Sequence, residues 1–410
     1  MKKTAVVLFL VFTAAVVSAY TGGMPLEIIS KPVGIRSMAM GYTGVSNSDD
    51  ASSLFWNPAY LDTLASGEVY ISVETLFEGA NFEHLSYVQP VSKYGAFGIS
   101  VSMMNYGDYE ILSSEGQEGG ISSMRDIIIS AGYGKNIIAG VQAGVLLKGL
   151  VRSIGGVTYA GVNADVAFFK SFGTLLDTGL SFRNVLPAGI KYSEDEETAP
   201  FMMRLGATVN LLDGNLKFTL EAEKNFSGVN PELFFGAEYG LFNLLYVRAG
   251  AGSLGADNEL TAGAGIVYKN LVFDYAASMN SLILSHKFGL NYRFGTYGVF
   301  LKAEPAMFSP FGGNKRTYIT AESNTKYEAF KWMMQIKGPD GKTVKEWVGA
   351  GSPDSQFVWD GLRSDGLPHK DGEYRAVMTV TDENDQQVKS HELVIKISTN
   401  DEYQIPVMGD

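Results

Sequence analysis

His84, His286, His369 and His391 are the only imidazoles in the 410 residues, and no two stand at a spacing that would bind one metal ion. There is no cysteine, hence no thiolate ligand, no disulfide framework and no acceptor for a lipoprotein anchor. No Gly-x-Ser-x-Gly elbow or phosphate-binding P-loop occurs. Gly250-Ala-Gly-Ser-Leu-Gly255 fits a dinucleotide fingerprint formally, but it leads into Ala256-Asp-Asn-Glu259 and another strand, where a helix N-terminus is required. What remains is a series of charges: Asp126, Lys148, Asp165, Asp177, Arg183, Arg204, Glu221, Glu223, Glu238, Arg248, Asp274, Lys287 and Arg293. A catalytic pair is one use for them, and a charge-paired, hydrogen-bonded interior is the simpler one. The expectation is a non-enzymatic protein with no cofactor and no metal site.

The elements that must position these charges are strands. From residue 67 to 295 the chain divides into segments of about ten residues with period-2 alternation, the length of tilted membrane strands. Fourteen are predicted: 67–77, 81–90, 93–105, 122–134, 137–151, 157–170, 173–184, 200–211, 215–224, 231–241, 244–253, 259–268, 270–279 and 284–295. Successive side chains point to opposite faces, and the charges keep to one phase. Phe201, Met203, Leu205, Ala207 and Val209 alternate with Arg204, Gly206, Thr208 and Asn210; Phe288, Leu290, Tyr292 and Phe294 alternate with Lys287, Gly289, Asn291 and Arg293. An Arg or Lys at the lipid midplane costs about 2–4 kcal/mol, so a bilayer enforces this segregation and the polar face lines a lumen. The solvent face of a soluble sandwich is usually richer in Lys, Glu and Thr than in the Gly, Ala and Ser found here.

Connection lengths point the same way, since such barrels have short periplasmic turns and longer outer loops. Even-numbered connections are short, and the two longest, about 106–121 and 185–199, follow strands three and seven. The second carries Glu194-Asp195-Glu196-Glu197, read as a solvated loop with a cation site as the alternative. Residues 1–19 read as a secretory signal: basic Lys2 and Lys3, an apolar Ala5 to Val17 and a small-residue cleavage site at Val17-Ser18-Ala19. Secretion without disulfides fits a Gram-negative envelope. A net charge of −12 argues against a nucleic-acid partner.

Residues 20–66 precede the strands and lack sustained alternation. Asp49 or Asp50 is placed to cap a short helix from Ala51 to Trp56 that Pro58 ends. The segment suits a plug inside the barrel or a periplasmic arm. Arg36-Ser-Met-Ala-Met-Gly-Tyr-Thr-Gly-Val45, then Asp49-Asp-Ala-Ser-Ser-Leu-Phe-Trp-Asn-Pro-Ala59, resembles the N-terminal signature of FadL-like outer-membrane proteins, most closely the PorV/PorQ branch. The resemblance runs through the barrel to Leu-Asn-Tyr-Arg-Phe-Gly295. It implies an N-terminal plug, with Asp49, Asp50, Asn57, Pro58 and Ala59 as its signature and Asn57 and Pro58 as packing residues. Tyr60 departs from the glycine common there.

Residues 297–312, with Pro305, Pro310, Gly312 and Gly313 near their end, read as a linker. Residues 313–399 follow as six or seven short strands separated by Asp-Gly turns, the pattern of a sandwich with Trp332, Trp347, Trp359 and Tyr374 in its core. Residues 400–410 read as a tail. Lys337-Gly-Pro-Asp-Gly-Lys-Thr-Val344, Val358-Trp-Asp-Gly361, Ser364-Asp-Gly366 and Asp371-Gly-Glu-Tyr374 resemble the Ig-like domain of the flagellar hook-capping protein FlgD. Phe308-Ser-Pro-Phe-Gly-Gly-Asn314 resembles the opening of such domains without its acidic residue, so calcium is not expected there.

The predicted fold is therefore all-β: a fourteen-stranded antiparallel transmembrane β-barrel over 67–296 with a plug segment, followed by an Ig-like β-sandwich. An even strand number places the sandwich in the periplasm. The resemblance implies an outer-membrane component of protein secretion or surface attachment, in contact with lipid and with a periplasmic or secretion-machinery protein. A FadL-like channel for hydrophobic small molecules is the first alternative. A structural tether between outer membrane and periplasm is the second.

Overall fold

The computed structural model describes residues 26–399 apart from short stretches at 77–78, 92–93, 113–117, 187–188, 193–194, 228–230, 243, 255–256, 280–283, 296–297, 325–328 and 383–386. The expected signal over 1–19 and the expected tail over 400–410 lie outside the described residues. The chain divides into two compact units, essentially barrel with plug and C-terminal domain.

The expected barrel is present, closed and antiparallel. Its strands are β1 Gly67–Thr75, β2 Asn81–Pro90, β3 Ala96–Leu112, β4 Glu118–Ile138, β5 Val141–Ile154, β6 Val157–Phe172, β7 Leu176–Arg183, β8 Met202–Leu211, β9 Leu216–Asn225, β10 Glu232–Leu241, β11 Leu245–Leu254, β12 Asp257–Tyr268, β13 Leu271–Met279 and β14 Leu284–Phe294. Each pairs with its neighbour in sequence, and Gly67 facing Phe294 closes the ring, so both ends of the barrel lie at one rim, the near rim. Outward positions are apolar and exposed, among them Ile71, Val73, Leu85, Ile99, Ile129, Leu147, Val162, Leu205, Phe235 and Phe288. This girdle is what a bilayer requires. Outward-phase charges occur only toward strand ends among the described residues, as with Glu83, Arg125 and Lys224 toward the far rim and Lys135 and Lys170 toward the near one.

The ladder of β3 and β4 differs from expectation. Residues 106–121 are not one long loop: the pairing continues from Asp108 opposite Ser123 to Leu112 opposite Glu118, past an irregularity between Asn105 and Asp108. That irregularity breaks the phase of the alternation, so the period read from residue 96 onward stops before the hydrogen bonds do.

Residues 297–312 are not a linker. Gly298–Glu304 pairs with Thr317–Asn324, which pairs with Gln356–Trp359, in a three-stranded sheet. A six-stranded sheet holds Met307–Phe308, Leu393–Ile397, Gly372–Asp382, Ala329–Lys337 and Thr343–Ala350 in that order, with Gln387–Lys389 paired to Gly372–Asp382. Val299 and Ala303 of the supposed linker belong to the shared core, which is why the segment is ordered as a strand. Trp332, Trp359 and Tyr374 are buried in that core; Trp347 packs against it and stays partly exposed, because its strand is the sheet's edge.

The Tyr374 hydroxyl donates to the Lys370 carbonyl at 2.6 Å, the geometry of a tyrosine corner. Tyr374→Phe leaves that carbonyl without its partner and is expected to cost about 1–2 kcal/mol. Three of the four tryptophans lie in this domain. Thermal unfolding of the full chain followed by tryptophan fluorescence should show a midpoint lowered by roughly 4–8 °C per kcal/mol lost.

Candidate functional site

The lumen is filled by residues 26–66. From Val33 to Leu64 nearly every side chain is buried, in a series of short turns: helices Ile35–Ala39 and Ser53–Trp56 and a 3-10 turn Pro58–Thr63. The segment is thus a plug and not an arm. Its helices are too short to persist alone, and surrounding strands hold their shape.

Contact with the wall is closest where the lumen phase of the barrel is glycine. A Cβ at Gly144 would stand 2.2 Å from the Ala59 nitrogen, and one at Gly250 would stand 2.1 Å from the Gly41 nitrogen. These glycines exist so that plug backbone can lie directly on the wall.

Each signature residue has a contact. Asp50 Oδ1 accepts from the Ser52 amide at 2.7 Å and its carbonyl from the Ser53 amide, in the turn before the helix. The helix itself starts at Ser53, two residues later than expected, with Ser52 at its N-cap and no side-chain cap from Asp49 or Asp50. Asp49 lies 3.4 Å from Arg36 and 4.0 Å from Lys217 of the wall. Asn57 is fully buried; its Nδ2 donates to the carbonyls of Val45 and Phe168, the latter on β6, and its Oδ1 accepts from the Ala59 amide. The Pro58 carbonyl and Ala59 lie against the glycine positions of β4 and β5.

Ion pairs knit plug to wall. Arg36 meets Glu238 at 2.7 Å, and Glu238 also takes Arg248 at 2.7 Å, which reaches Asp274 at 2.5 Å. Lys31 and Lys287 share Glu74 at 2.9 and 3.2 Å. Glu221 Oε1 accepts from the amides of Gly44, Val45 and Ser46, while its Oε2 takes Arg204 at 2.7 Å. Arg204 also lies 3.9 Å over Phe234 and 5.1 Å over Trp56, and Arg183 covers Trp56 from 5.6 Å. Wall-to-wall pairs complete the set: Lys148–Asp165 at 2.7 Å, Arg152–Asp126 at 2.8 Å, Arg183–Glu223 at 3.0 Å and Arg293–Glu68 at 3.2 Å. Asp177 accepts from Asn210 at 2.7 Å near the rim. The thirteen charges assigned to the lumen thus line one interior. Arg36, Glu68, Glu74 and Arg152 belong with them; the alternation phase marks Glu68, Glu74 and Arg152, whereas nothing periodic marks Arg36 on the plug.

Apolar side chains also pack in the lumen, in one cluster around Ile35, Leu54, Trp56 and Phe234 and in a second toward the far rim. Leu26, Ile28, Ile29, Val33, Phe82, Met104, Ile128, Leu150, Ile190 and Ala199 form this second cluster. Over it lies a hairpin, Ile190–Tyr192 with Asp195–Glu197, in the long connection after β7. Glu197 accepts from the Leu26 amide at 2.9 Å and lies 3.4 Å from Arg152. At least this member of the acidic run is therefore a latch to wall and plug instead of a solvated loop residue; Glu194 lies outside the described residues. A cavity of about 20 Å³, room for one water, remains between plug and wall beside Ile28, Phe55, Phe82, His84 and Lys148. His84 Nδ1 bonds Ser102 at 2.8 Å, and its Nε2 has no partner among the described residues.

No protein-family model matches the chain, and no curated protein matches it in sequence. Solved structures match in fold. The toluene transporter TodX of Pseudomonas putida aligns with a TM-score of 0.52 at 13% identity, over 64% of this chain and 99% of that one. The toluene transporter TbuX of Ralstonia pickettii aligns with a TM-score of 0.50 at 15% identity, over 64% of this chain and 99% of that one. The chain has their fold, which here is the closed fourteen-stranded barrel, and about a third of it lies outside the match.

Arg204→Met removes the partner of Glu221 and the cation stacked on Trp56. Breaking a buried pair on one side costs about 3–5 kcal/mol. The expected outcome is bursts of ion conductance in planar bilayers from the variant, with the parent protein closed under the same voltage.

Proposed function

We propose that the barrel passes small hydrophobic molecules, which lodge in the apolar chamber of its far half before the plug yields. The observation that carries this reading is the ten-residue apolar cluster beneath the hairpin, separate from the larger one that seats the plug around Trp56. Such a cluster favours a greasy guest, because each CH₂ removed from water contributes about 0.8 kcal/mol. The free space beside it takes one water, so entry requires displacement of the hairpin or of Leu26 to Val33. The fold shared with two toluene transporters supports the same reading. Glu197, which holds the hairpin to Arg152 and to the Leu26 amide, would be the catch.

A second reading, an envelope component of secretion or surface attachment in the manner of PorV/PorQ proteins, is favoured by the part of the chain outside the transporter match. In it the C-terminal sandwich is a periplasmic docking domain or tether of FlgD-like kind. Its periplasmic placement is supported by the even strand number, which brings the chain out of the barrel at the rim where it entered.

Uptake of radiolabelled toluene by cells with and without the gene tests the first reading. Accumulation should be severalfold faster with the gene and faster again with Glu197→Gln, which loosens the catch. Equal uptake in all three strains would retire it. A chain truncated after residue 295 should then keep uptake; loss of secretion or surface attachment in that strain supports the second role, and normal secretion counts against it.

A further inference from the structure

The outer face of the six-stranded sheet in the C-terminal domain carries a groove, and the second reading above, which makes this domain a docking domain and which the following inference deepens, assigns no residues to that role. Alternate positions of Ala329–Lys337 point outward: Lys331, Met333, Gln335 and Lys337. Register places Val348 and Thr379 beside Met333, and Val377 beside Gln335. Lys389 lies opposite Thr379 and walls the far side. Together they bound a groove of about 660 Å³.

Its floor is apolar and uncovered: Met333 is 36% exposed and Val348 66%. Its charges are unbalanced. Glu392 is neutralised by Arg375 at 3.0 Å, while Glu346 accepts from the neutral Gln335 amide at 2.6 Å and keeps its charge. Lys331, Lys337 and Lys389 have no carboxylate partner among the described residues. In a chain of net charge −12, a face whose three unpaired ammonium groups outnumber the unneutralised carboxylate of Glu346 beside them, around an apolar strip, is complementary to the opposite pattern.

Spacing defines that pattern. Lys331 and Lys337 are six residues apart on one strand, about 20 Å at 3.3 Å per residue. An extended polypeptide of the same repeat, laid along the strand, would bring apolar side chains onto Met333, Val348 and Val377 and acidic ones to the lysines at its ends.

We propose that this groove docks an extended segment of a partner protein, acidic at both ends and apolar between. The proposal stands apart from the transport reading and survives its failure.

The probe is a short fluorescein-labelled peptide with glutamates at both ends and alternating valine and serine between, titrated by anisotropy against the full chain in neutral detergent at low salt. Saturable binding is expected, at least tenfold weaker for the triple variant Lys331→Glu, Lys337→Glu, Lys389→Glu and about threefold weaker for Lys389→Gln alone. The single variant decides the matter if the triple one fails to keep the parent's tryptophan-fluorescence melting curve. Equal affinity of parent and folded variants overturns the proposal, as does equal binding of a peptide with lysines at both ends. Binding to phosphatidylglycerol vesicles that the same substitutions abolish, without peptide binding, assigns the face to a membrane and also overturns it.

Discussion

A charged side chain cannot face hydrocarbon without a cost of several kcal/mol, so every Arg, Lys, Asp and Glu in the middle of these strands turns inward. Inside, the same charge is out of bulk water and must find a partner within a narrow lumen. The wall satisfies part of this by itself, as in Lys148–Asp165 and Arg152–Asp126. It does not satisfy all of it. Glu221 takes three plug amides besides Arg204, Glu238 takes Arg36 from the plug, and Glu74 takes Lys31. Barrel and plug are each electrostatically incomplete without the other.

Steric fit reinforces the charges. Lumen-phase glycines at 144 and 250 leave room for backbone, and the plug occupies it. The interior packs apolar side chains in two clusters, one around Trp56 and one beneath the Ile190–Glu197 hairpin. Passage of any guest therefore requires motion of a segment held by a few identifiable contacts, chief among them those of Glu197.

Much of this was legible in the sequence for one physical reason: lipid imposes a strict two-residue alternation, and Arg204 among Met203 and Leu205 reads the lumen phase without a structure. Where that alternation is broken or absent, legibility ends. The β3–β4 ladder continues through Asp108 and Ser123, but across an irregularity between Asn105 and Asp108 that breaks the period of the preceding residues. Gly298–Glu304, with charged Lys302 and a proline following, resembles a connector, yet its register against Thr317–Asn324 buries Val299 and Ala303. Arg36 and Glu197 were invisible as interior charges because plug and loop follow no period, and only the fold brings them to Glu238 and Arg152.

The claim on which the rest depends is that the plug backbone is held in the lumen by wall carboxylates. Hydrogen–deuterium exchange of the full chain in membrane vesicles tests it at the amides of Gly44, Val45 and Ser46, which donate to Glu221. The account predicts protection approaching that of the β8–β9 ladder, persisting for hours. Exchange of these three amides at the rate of exposed loop amides, with the ladder still protected, would contradict it.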